Sequence, residues 1–92
     1  MEDLTKIRLE IDAIDEEIAK LYERRMDAVK EVARYKIKAN LPIYDEAREK
    51  AMLTKNLGRL EKDSYRKYYE RVLNGFLSAS KEMQNDLLKE GK

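Results

Sequence analysis

Residues 4–39 read LTKIRLEIDAIDEEIAKLYERRMDAVKEVARYKIKA, and this stretch decides the fold. Its apolar residues recur in alternating steps of three and four along the chain: Leu4, Ile7, Ile11, Ile14, Ile18, Leu21, Ala28, Val32 and Tyr35. Such spacing places them along one side of an α-helix. The pattern therefore predicts one helix from about Leu4 to Ala39, roughly 50 Å long at a rise of 1.5 Å per residue.

A helix of that length is too long for a compact monomer of 92 residues. A folded domain of this size has a radius of gyration of about 12 Å. The remaining residues of the chain cannot cover the apolar side of such a rod. The length of the helix therefore predicts a partner chain.

The second helix is predicted between two breaks in the periodicity, at Pro42 and Gly58. Proline pushes the residues before it toward extended geometry, so it separates the first helix from the second. The second helix is predicted from about Asp45 to Leu57, with Asp45 as its N-cap. Gly58 is expected to end it in a left-handed turn.

A third helix is predicted to begin near Asp63 or Ser64 and to continue to about Leu88. The last four residues, 89–92, are expected to fray. No internal repeat or linker divides the sequence. The predicted fold is therefore all-α, with three helices, one of them very long, in a single domain spanning residues 1–92.

The amino-acid composition excludes several classes of function and of site. Apolar and charged residues each make up 42% of the chain, which is typical of a helical globular protein. A formal charge of +1 gives no general attraction to nucleic acid or to an anionic membrane. The chain has no cysteine and no histidine, which excludes disulfides, zinc sites, thiol nucleophiles and every Ser/His or Cys/His catalytic arrangement.

The amino terminus predicts a cytoplasmic location. Met1-Glu2-Asp3-Leu4 carries two acids where a signal peptide has a basic start and an apolar run. No window approaches the roughly 18 consecutive apolar residues that a membrane-spanning helix needs. We therefore expect no membrane association.

Polar residues interrupt the apolar sides of all three predicted helices. Arg25, Val29, Val32 and Lys36 fall within roughly 60° of one another on the first helix, so two cations share its inward side. A single lysine or arginine in such a place usually extends past the helix edge to solvent, but two on one line weaken that interpretation. Arg8 lies beside the same apolar side, nearer the amino terminus.

The second and third helices each add polar residues of this kind. Asp45, Arg48, Glu49 and Met52 share one face at spacings i, i+3, i+4 and i+7. A capping aspartate followed by a solvated face would give the same pattern. Ser80 and Gln84 stand one turn apart within an apolar stripe formed by Leu73, Leu77 and Leu87. They could equally form hydrogen bonds across a helix interface.

Together these side chains suit a compact dianion that also bears a hydroxyl. Arginine offers forked donors to carboxylates, lysine and glutamine can donate to an ether or carbonyl oxygen, and carboxylates can accept from an alcohol. No nucleophile with an adjacent base is visible. A reaction performed by positioning and electrostatics is therefore the natural candidate.

The sequence resembles the all-helical chorismate mutases along almost its whole length. The resemblance begins with Leu4-x-x-Ile7-Arg8-x-x-Ile11-Asp12-x-Ile14-Asp15-x-x-Ile18-x-x-Leu21 and includes Arg25, Val32 and Lys36. It continues through Pro42-Ile43-x-Asp45-x-x-Arg48-Glu49 and ends at Ser80-x-x-x-Gln84. It implies an intertwined homodimer that converts chorismate to prephenate without a metal, a cofactor or a covalent intermediate.

The resemblance also implies a role for each site residue. Arg8 of one chain and Arg25 of the other should hold the substrate carboxylates, with Arg48 adjacent. Lys36 and Gln84 should donate to the ether oxygen. The remaining residues should contact the ring: its hydroxyl would be bound by Asp45 and Glu49, its carboxylate would lie near Ser80, and its face would pack against Val32.

Two other functions remain open at this point. The first is an isochorismate-pyruvate lyase on the same scaffold. This sequence is similar to such lyases in two segments, Arg25-Met26-Asp27-x-Val29-Lys30 and Arg34-Tyr35-Lys36. The pair Asp45 and Glu49 argues against it, because a lyase of that type does not need both acids to bind a ring hydroxyl. The second alternative is a non-catalytic helical dimerisation or regulatory module. A non-catalytic module would not explain why two cations, Arg25 and Lys36, lie on the inward side of the first helix.

Overall fold

A computed structural model describes residues 3–91 and is helical throughout apart from short connections. The elements are α1 (Leu4–Lys38), α2 (Glu46–Leu57), a single 3-10 turn (Asp63–Tyr65) and α3 (Arg66–Glu90). The prediction of three helices, one of them very long, is confirmed. Within the described residues no helix is both long and apolar enough to cross a membrane.

Helix α1 ends one residue before the predicted Ala39, in a left-handed turn. Asn40 has a φ of 57°, the amide of Leu41 donates to the carbonyl of Lys36 at 2.8 Å, and the amide of Asn40 donates to Ile37 at 3.3 Å. These two bonds form a Schellman motif, which satisfies the carbonyls of Lys36 and Ile37 in the last turn of the helix. Asparagine tolerates this backbone region better than most residues, and Pro42 prevents the helix from resuming.

Helix α2 begins as predicted, but it does not end in the predicted left-handed turn. The side chain of Asp45 accepts a hydrogen bond from the amide of Arg48 at 3.0 Å, which confirms it as the N-cap. Gly58 has a φ of −68° and stays in the right-handed region. The helix ends instead in a tighter turn, in which the amides of Arg59 and Leu60 donate to the carbonyls three residues earlier at 3.1 and 3.3 Å. Those bonds satisfy the terminal carbonyls without a left-handed residue.

Helix α3 extends further than the sequence indicated. The chain turns at Asp63–Tyr65 and continues directly into α3, which runs to Glu90 rather than to about Leu88. Lys89 and Glu90, expected to fray, are helical, and the amide of Gly91 donates to the carbonyl of Leu87 at 3.0 Å. The fraying predicted for Lys92 lies outside the described residues, as do Met1 and Glu2.

The core lies where α3 packs against α2 and against the carboxyl-terminal half of α1. Leu73 is its centre, with 1% of its surface exposed, and Met52 and Leu57 of α2 are buried beside it. Ala33 of α1 is fully buried. This packing fixes three helix faces against one another and leaves the polar residues of those faces around a common space.

The amino-terminal half of α1 has no such cover. The six residues of the apolar repeat in this half are between 36% and 57% exposed: Leu4, Ile7, Ile11, Ile14, Ile18 and Leu21. We call this surface the exposed stripe of α1. The chain measures 58 × 25 × 14 Å, and its radius of gyration is 16.7 Å, against about 12 Å for a compact domain of this size. The chain's own shorter helices therefore do not cover the rod.

Candidate active site

A pocket of about 140 Å³ opens between the carboxyl-terminal half of α1, the connection leading into α2, α2 itself and α3. Its lining is formed by Arg25, Val29, Val32, Lys36, Ile43, Asp45, Arg48, Glu49, Met52, Leu77, Ser80, Lys81 and Gln84. The lining thus draws on all three helices. It combines an apolar floor with charged and amide groups.

Helix α1 presents two cations to the pocket, and both are held by neighbouring elements. Arg25 donates from Nη1 to the hydroxyl of Ser80 at 2.9 Å, and its guanidinium carbon stands 5.2 Å from the centre of the Phe76 ring. Such stacking favours the cation and limits its rotamers. Lys36 donates from Nζ to the carbonyl of Ile43 at 3.0 Å. An ammonium has three donors, so two remain for a ligand.

Helix α2 begins at the edge of the pocket. Asp45 uses Oδ1 to cap the helix, which leaves Oδ2 for other contacts. Asp45 can therefore cap α2 through one carboxylate oxygen and contact a ligand through the other. Glu49, one turn further along, forms an ion pair through Oε2 with Lys81 of α3 at 3.1 Å. Arg48 lies at the pocket margin and is exposed.

Helix α3 closes the other side with two buried polar residues. Ser80 is 7% exposed and Gln84 is 8% exposed. Ser80 accepts from Arg25, so it belongs to a bond between helices. The amide oxygen of Gln84 is buried and has no hydrogen-bond partner among the described residues. That oxygen only accepts hydrogen bonds, so a hydrogen bond from Gln84 to a ligand oxygen would come from the amide nitrogen of the same side chain.

The structure brings together eight of the site residues named from the sequence. They are Arg25, Val32, Lys36, Asp45, Arg48, Glu49, Ser80 and Gln84. Arg8 is not among them. It is exposed on α1, and its position 17 residues before Arg25 places it roughly 25 Å away along the helix axis. Arg8 therefore cannot reach the pocket of its own chain.

Five lining residues were not named as site residues from the sequence: Val29, Ile43, Met52, Leu77 and Lys81. Ile43 contributes its backbone carbonyl to Lys36, a contact that side-chain patterns do not reveal. Lys81 lies four residues after Leu77 and three before Gln84, so the same helical spacing that identified Ser80 also applies to it. A lysine beside an apolar stripe normally points to solvent, so spacing alone does not identify Lys81 as a site residue.

The charges of the pocket suit an anionic ligand. Four cations line it, Arg25, Lys36, Arg48 and Lys81, against two carboxylates, Asp45 and Glu49. Lys81 is paired with Glu49, which leaves Arg25, Lys36 and Arg48 to bind a dianion, and the carboxylates can accept hydrogen bonds from a hydroxyl. The lining includes no cysteine or histidine. The arrangement can bind, orient and stabilise charge.

Comparison with known proteins agrees with this geometry. The sequence model of the family described as "Chorismate mutase type II" matches residues 7–85. A bifunctional chorismate mutase/prephenate dehydratase of Aquifex aeolicus is 46% identical over 65 residues, which cover 71% of this chain and 18% of that protein. The T-protein of Haemophilus influenzae is 43% identical over 53 residues, covering 58% of this chain and 14% of that protein.

The matched region is a small part of those relatives. The chain spans less than a fifth of the length of the two proteins just described. A second bifunctional chorismate mutase/prephenate dehydratase, from Buchnera aphidicola, is 46% identical over 59 residues. The matched residues cover 62% of this chain and 15% of that protein. No solved structure matches the chain significantly. The likeness is thus one of sequence, and it extends over all three helices.

Proposed function

Since this chain belongs to the chorismate mutase type II family, we propose that its pocket rearranges chorismate to prephenate, a step in the biosynthesis of phenylalanine and tyrosine. The observation that carries the proposal is the lining: four cations, two carboxylates and a buried glutamine around one small space. Chorismate is a dianion with a ring hydroxyl and an ether oxygen. The lining offers a group for each of these features.

The proposed mechanism follows from the charge that moves. One C–O bond breaks while one C–C bond forms within the same molecule, and negative charge builds on the departing ether oxygen. Lys36 and Gln84 line the pocket on opposite helices, α1 and α3. Donors aimed at that oxygen stabilise the transition state more than the ground state, which accelerates the reaction.

Positioning supplies the second contribution. Arg25, Arg48 and Arg8 of the partner subunit hold the two carboxylates, so that the enolpyruvyl arm lies over the ring. Holding the reacting carbons together removes the entropic cost of finding that conformer. Glu49 accepts the hydrogen bond that the ring hydroxyl donates, with Asp45 beside the same hydroxyl, Ser80 lies near the ring carboxylate, and Val32 packs against the ring. The reaction needs no proton transfer and no cofactor.

The homodimer is part of the same proposal. The exposed stripe of α1 requires cover, and Arg8 lies too far from the pocket of its own chain to act there. An intertwined dimer in which the two long helices pack together answers both points, because the partner's Arg8 then completes each site. Each active site is therefore shared between two chains. We place the protein in the cytoplasm.

A direct assay tests the proposed activity. The purified chain is mixed with chorismate, and the loss of its absorbance is followed together with the formation of prephenate. We expect turnover without any added metal ion. A parallel reaction with isochorismate tests for release of pyruvate, which a lyase on this scaffold would catalyse. The presence of both Asp45 and Glu49 in the lining favours the mutase. A chain that acts on neither compound would be a non-catalytic helical module.

The dimer makes a separate prediction about stability. Separated chains would expose the apolar stripe of α1 to water, so dissociation and unfolding should coincide. Analytical ultracentrifugation and circular dichroism over one dilution series are expected to show loss of helix together with loss of the dimer. The midpoint of thermal unfolding should rise with protein concentration. A helical monomer that persists on dilution would contradict the proposed architecture.

A further inference from the structure

Lys81 joins the pocket to both flanking elements. It lies on α3 between Ser80 and Gln84, and its Nζ stands 3.1 Å from Oε2 of Glu49 on α2. The same ammonium stands 4.6 Å from the centre of the Tyr44 ring, in the connection between α1 and α2. One side chain thus contacts a carboxylate of the proposed site and an aromatic ring at its edge.

The ion pair of Lys81 differs from the other ion pairs of the described residues. Three of them join neighbours within one helix: Lys20 with Glu16, Arg34 with Glu31, and Lys50 with Glu46. Their side chains are between 63% and 75% exposed, whereas those of Lys81 and Glu49 are 36% and 24% exposed. Exposed pairs within a helix contribute little to stability. The pair between Lys81 and Glu49 joins two helices and is less screened by solvent.

This geometry limits how Glu49 can turn. The ion pair occupies Oε2 and leaves Oε1 to accept a hydrogen bond from a ligand. A free glutamate has three rotatable bonds and samples many rotamers, and a partner on the opposite helix reduces that number. Tyr44 in turn restricts Lys81, because a cation over an aromatic face is attracted to it. The three residues form a chain of contacts that ends at one carboxylate oxygen.

We propose that Lys81 is a positioning residue that holds Glu49 in the orientation that accepts the ring hydroxyl of the substrate, and that Tyr44 holds Lys81. The proposal rests on the proposed function, since it assigns to Glu49 the recognition of that hydroxyl. Lys81 acts through Glu49 rather than on the reacting atoms. Binding energy from the hydroxyl is then realised without a further cost of ordering the glutamate.

The first test is substitution of the lysine. Lys81→Met removes the charge and keeps most of the side-chain length, and it is expected to lower kcat/KM for chorismate about tenfold, as for loss of a charge-assisted contact. Lys81→Arg keeps a cation and should retain most of the activity. Lys50→Met is the matched control, because it breaks an exposed lysine–glutamate pair of similar length on α2. It should behave as wild type.

A double-mutant cycle separates positioning from a general effect of charge. Glu49→Gln removes the group on which Lys81 acts. In that background Lys81→Met should change kcat/KM by less than about threefold, because interacting residues do not contribute additively. An undiminished tenfold effect in that background would show that Lys81 attracts the dianion directly, and it would overturn the positioning role. Circular dichroism of each variant verifies the fold.

Tyr44 provides a second route that leaves Lys81 in place. Tyr44→Leu removes the ring and should lower kcat/KM about twofold to threefold, whereas Tyr44→Phe keeps the ring and should match wild type. Equal activity of these two variants would exclude Tyr44 from the arrangement.

A wild-type chain that does not convert chorismate would refute the proposed function itself. A wild-type chain that is active, with Lys81→Met equally active, would overturn this inference alone.

Discussion

Chains carrying Arg8→Ala and chains carrying Arg25→Ala, each nearly inactive alone, are expected to regain activity when they are refolded together. In the proposed dimer Arg8 acts across the interface and Arg25 within its own chain, so a hybrid would have one site with both defects and one site with neither. An equal mixture places about half of the chains in hybrids, so roughly a quarter of the wild-type activity should return.

The physical basis is the separation of the two arginines on one helix. Arg25 lines the pocket of its own chain and Arg8 does not. Losing a carboxylate clamp removes both binding and orientation, so each single variant should fall by about a hundredfold or more. The measurement is the initial rate with chorismate before and after co-refolding, at one total protein concentration.

A second pair of variants supplies the control for this experiment. Arg25→Ala and Lys36→Ala both affect the pocket of the chain that carries them, since both residues line it. Their hybrid has one defect in each site, so mixing them should restore nothing. Arg24→Ala, at an exposed neighbouring position, should be active without mixing. If the Arg8 and Arg25 mixture stays as inactive as its parents, the two arginines do not serve different chains.

Gln84→Glu is expected to be weak at pH 7 and to recover as the pH falls. The change keeps the shape of the side chain but replaces the amide donor by a carboxylate, which when ionised only accepts hydrogen bonds. That carboxylate would also repel the negative charge developing on the ether oxygen. Losing one donor of this kind typically costs about 3 kcal/mol, roughly a hundredfold in rate. Protonation restores an O–H donor, so acid should restore activity.

The comparison that decides this prediction is with Lys36→Ala. Nothing replaces the missing donor in that variant, so no recovery in acid should occur. The measurement is kcat/KM between about pH 4.5 and 8, a range that spans titration of a carboxyl group, with each variant divided by wild type at the same pH. A Gln84→Glu enzyme as fast as wild type at pH 7 would place Gln84 outside the reaction centre.

The helices could be predicted closely because their ends depend on local chemistry. Asp45 caps α2 as expected, and Pro42 keeps α1 from continuing. The left-handed turn was assigned to Gly58 but occurs at Asn40. Glycine permits that geometry without requiring it, and hydrogen bonds to the carbonyl three residues back made it unnecessary at the end of α2. Both Asn40 and Gly58 can adopt a left-handed conformation, and backbone hydrogen bonds that the sequence does not reveal decide which of them does.

The pocket was predictable wherever its residues share a helix face. Periodicity placed Arg25 and Lys36 on one side of α1, and the structure places both in the lining. Contacts between helices were not predictable in this way. The ion pair from Lys81 to Glu49 depends on how α3 lies against α2, and the bond from Lys36 to Ile43 depends on the path of a loop. Helical spacing gives the face that a residue occupies, but it does not identify the residue opposite.

Helix α1 contains neither glycine nor proline between Leu4 and Lys38. Sharp bends in helices arise mainly at such residues, so α1 has no built-in hinge. In the proposed dimer one end of this rod carries Arg8 to one reaction centre, and the other end carries Arg25 and Lys36 to the second. Because no bend interrupts the helix, the distance along it from Arg8 to Arg25 and Lys36 is fixed, and the two reaction centres of that dimer would stand at a fixed separation.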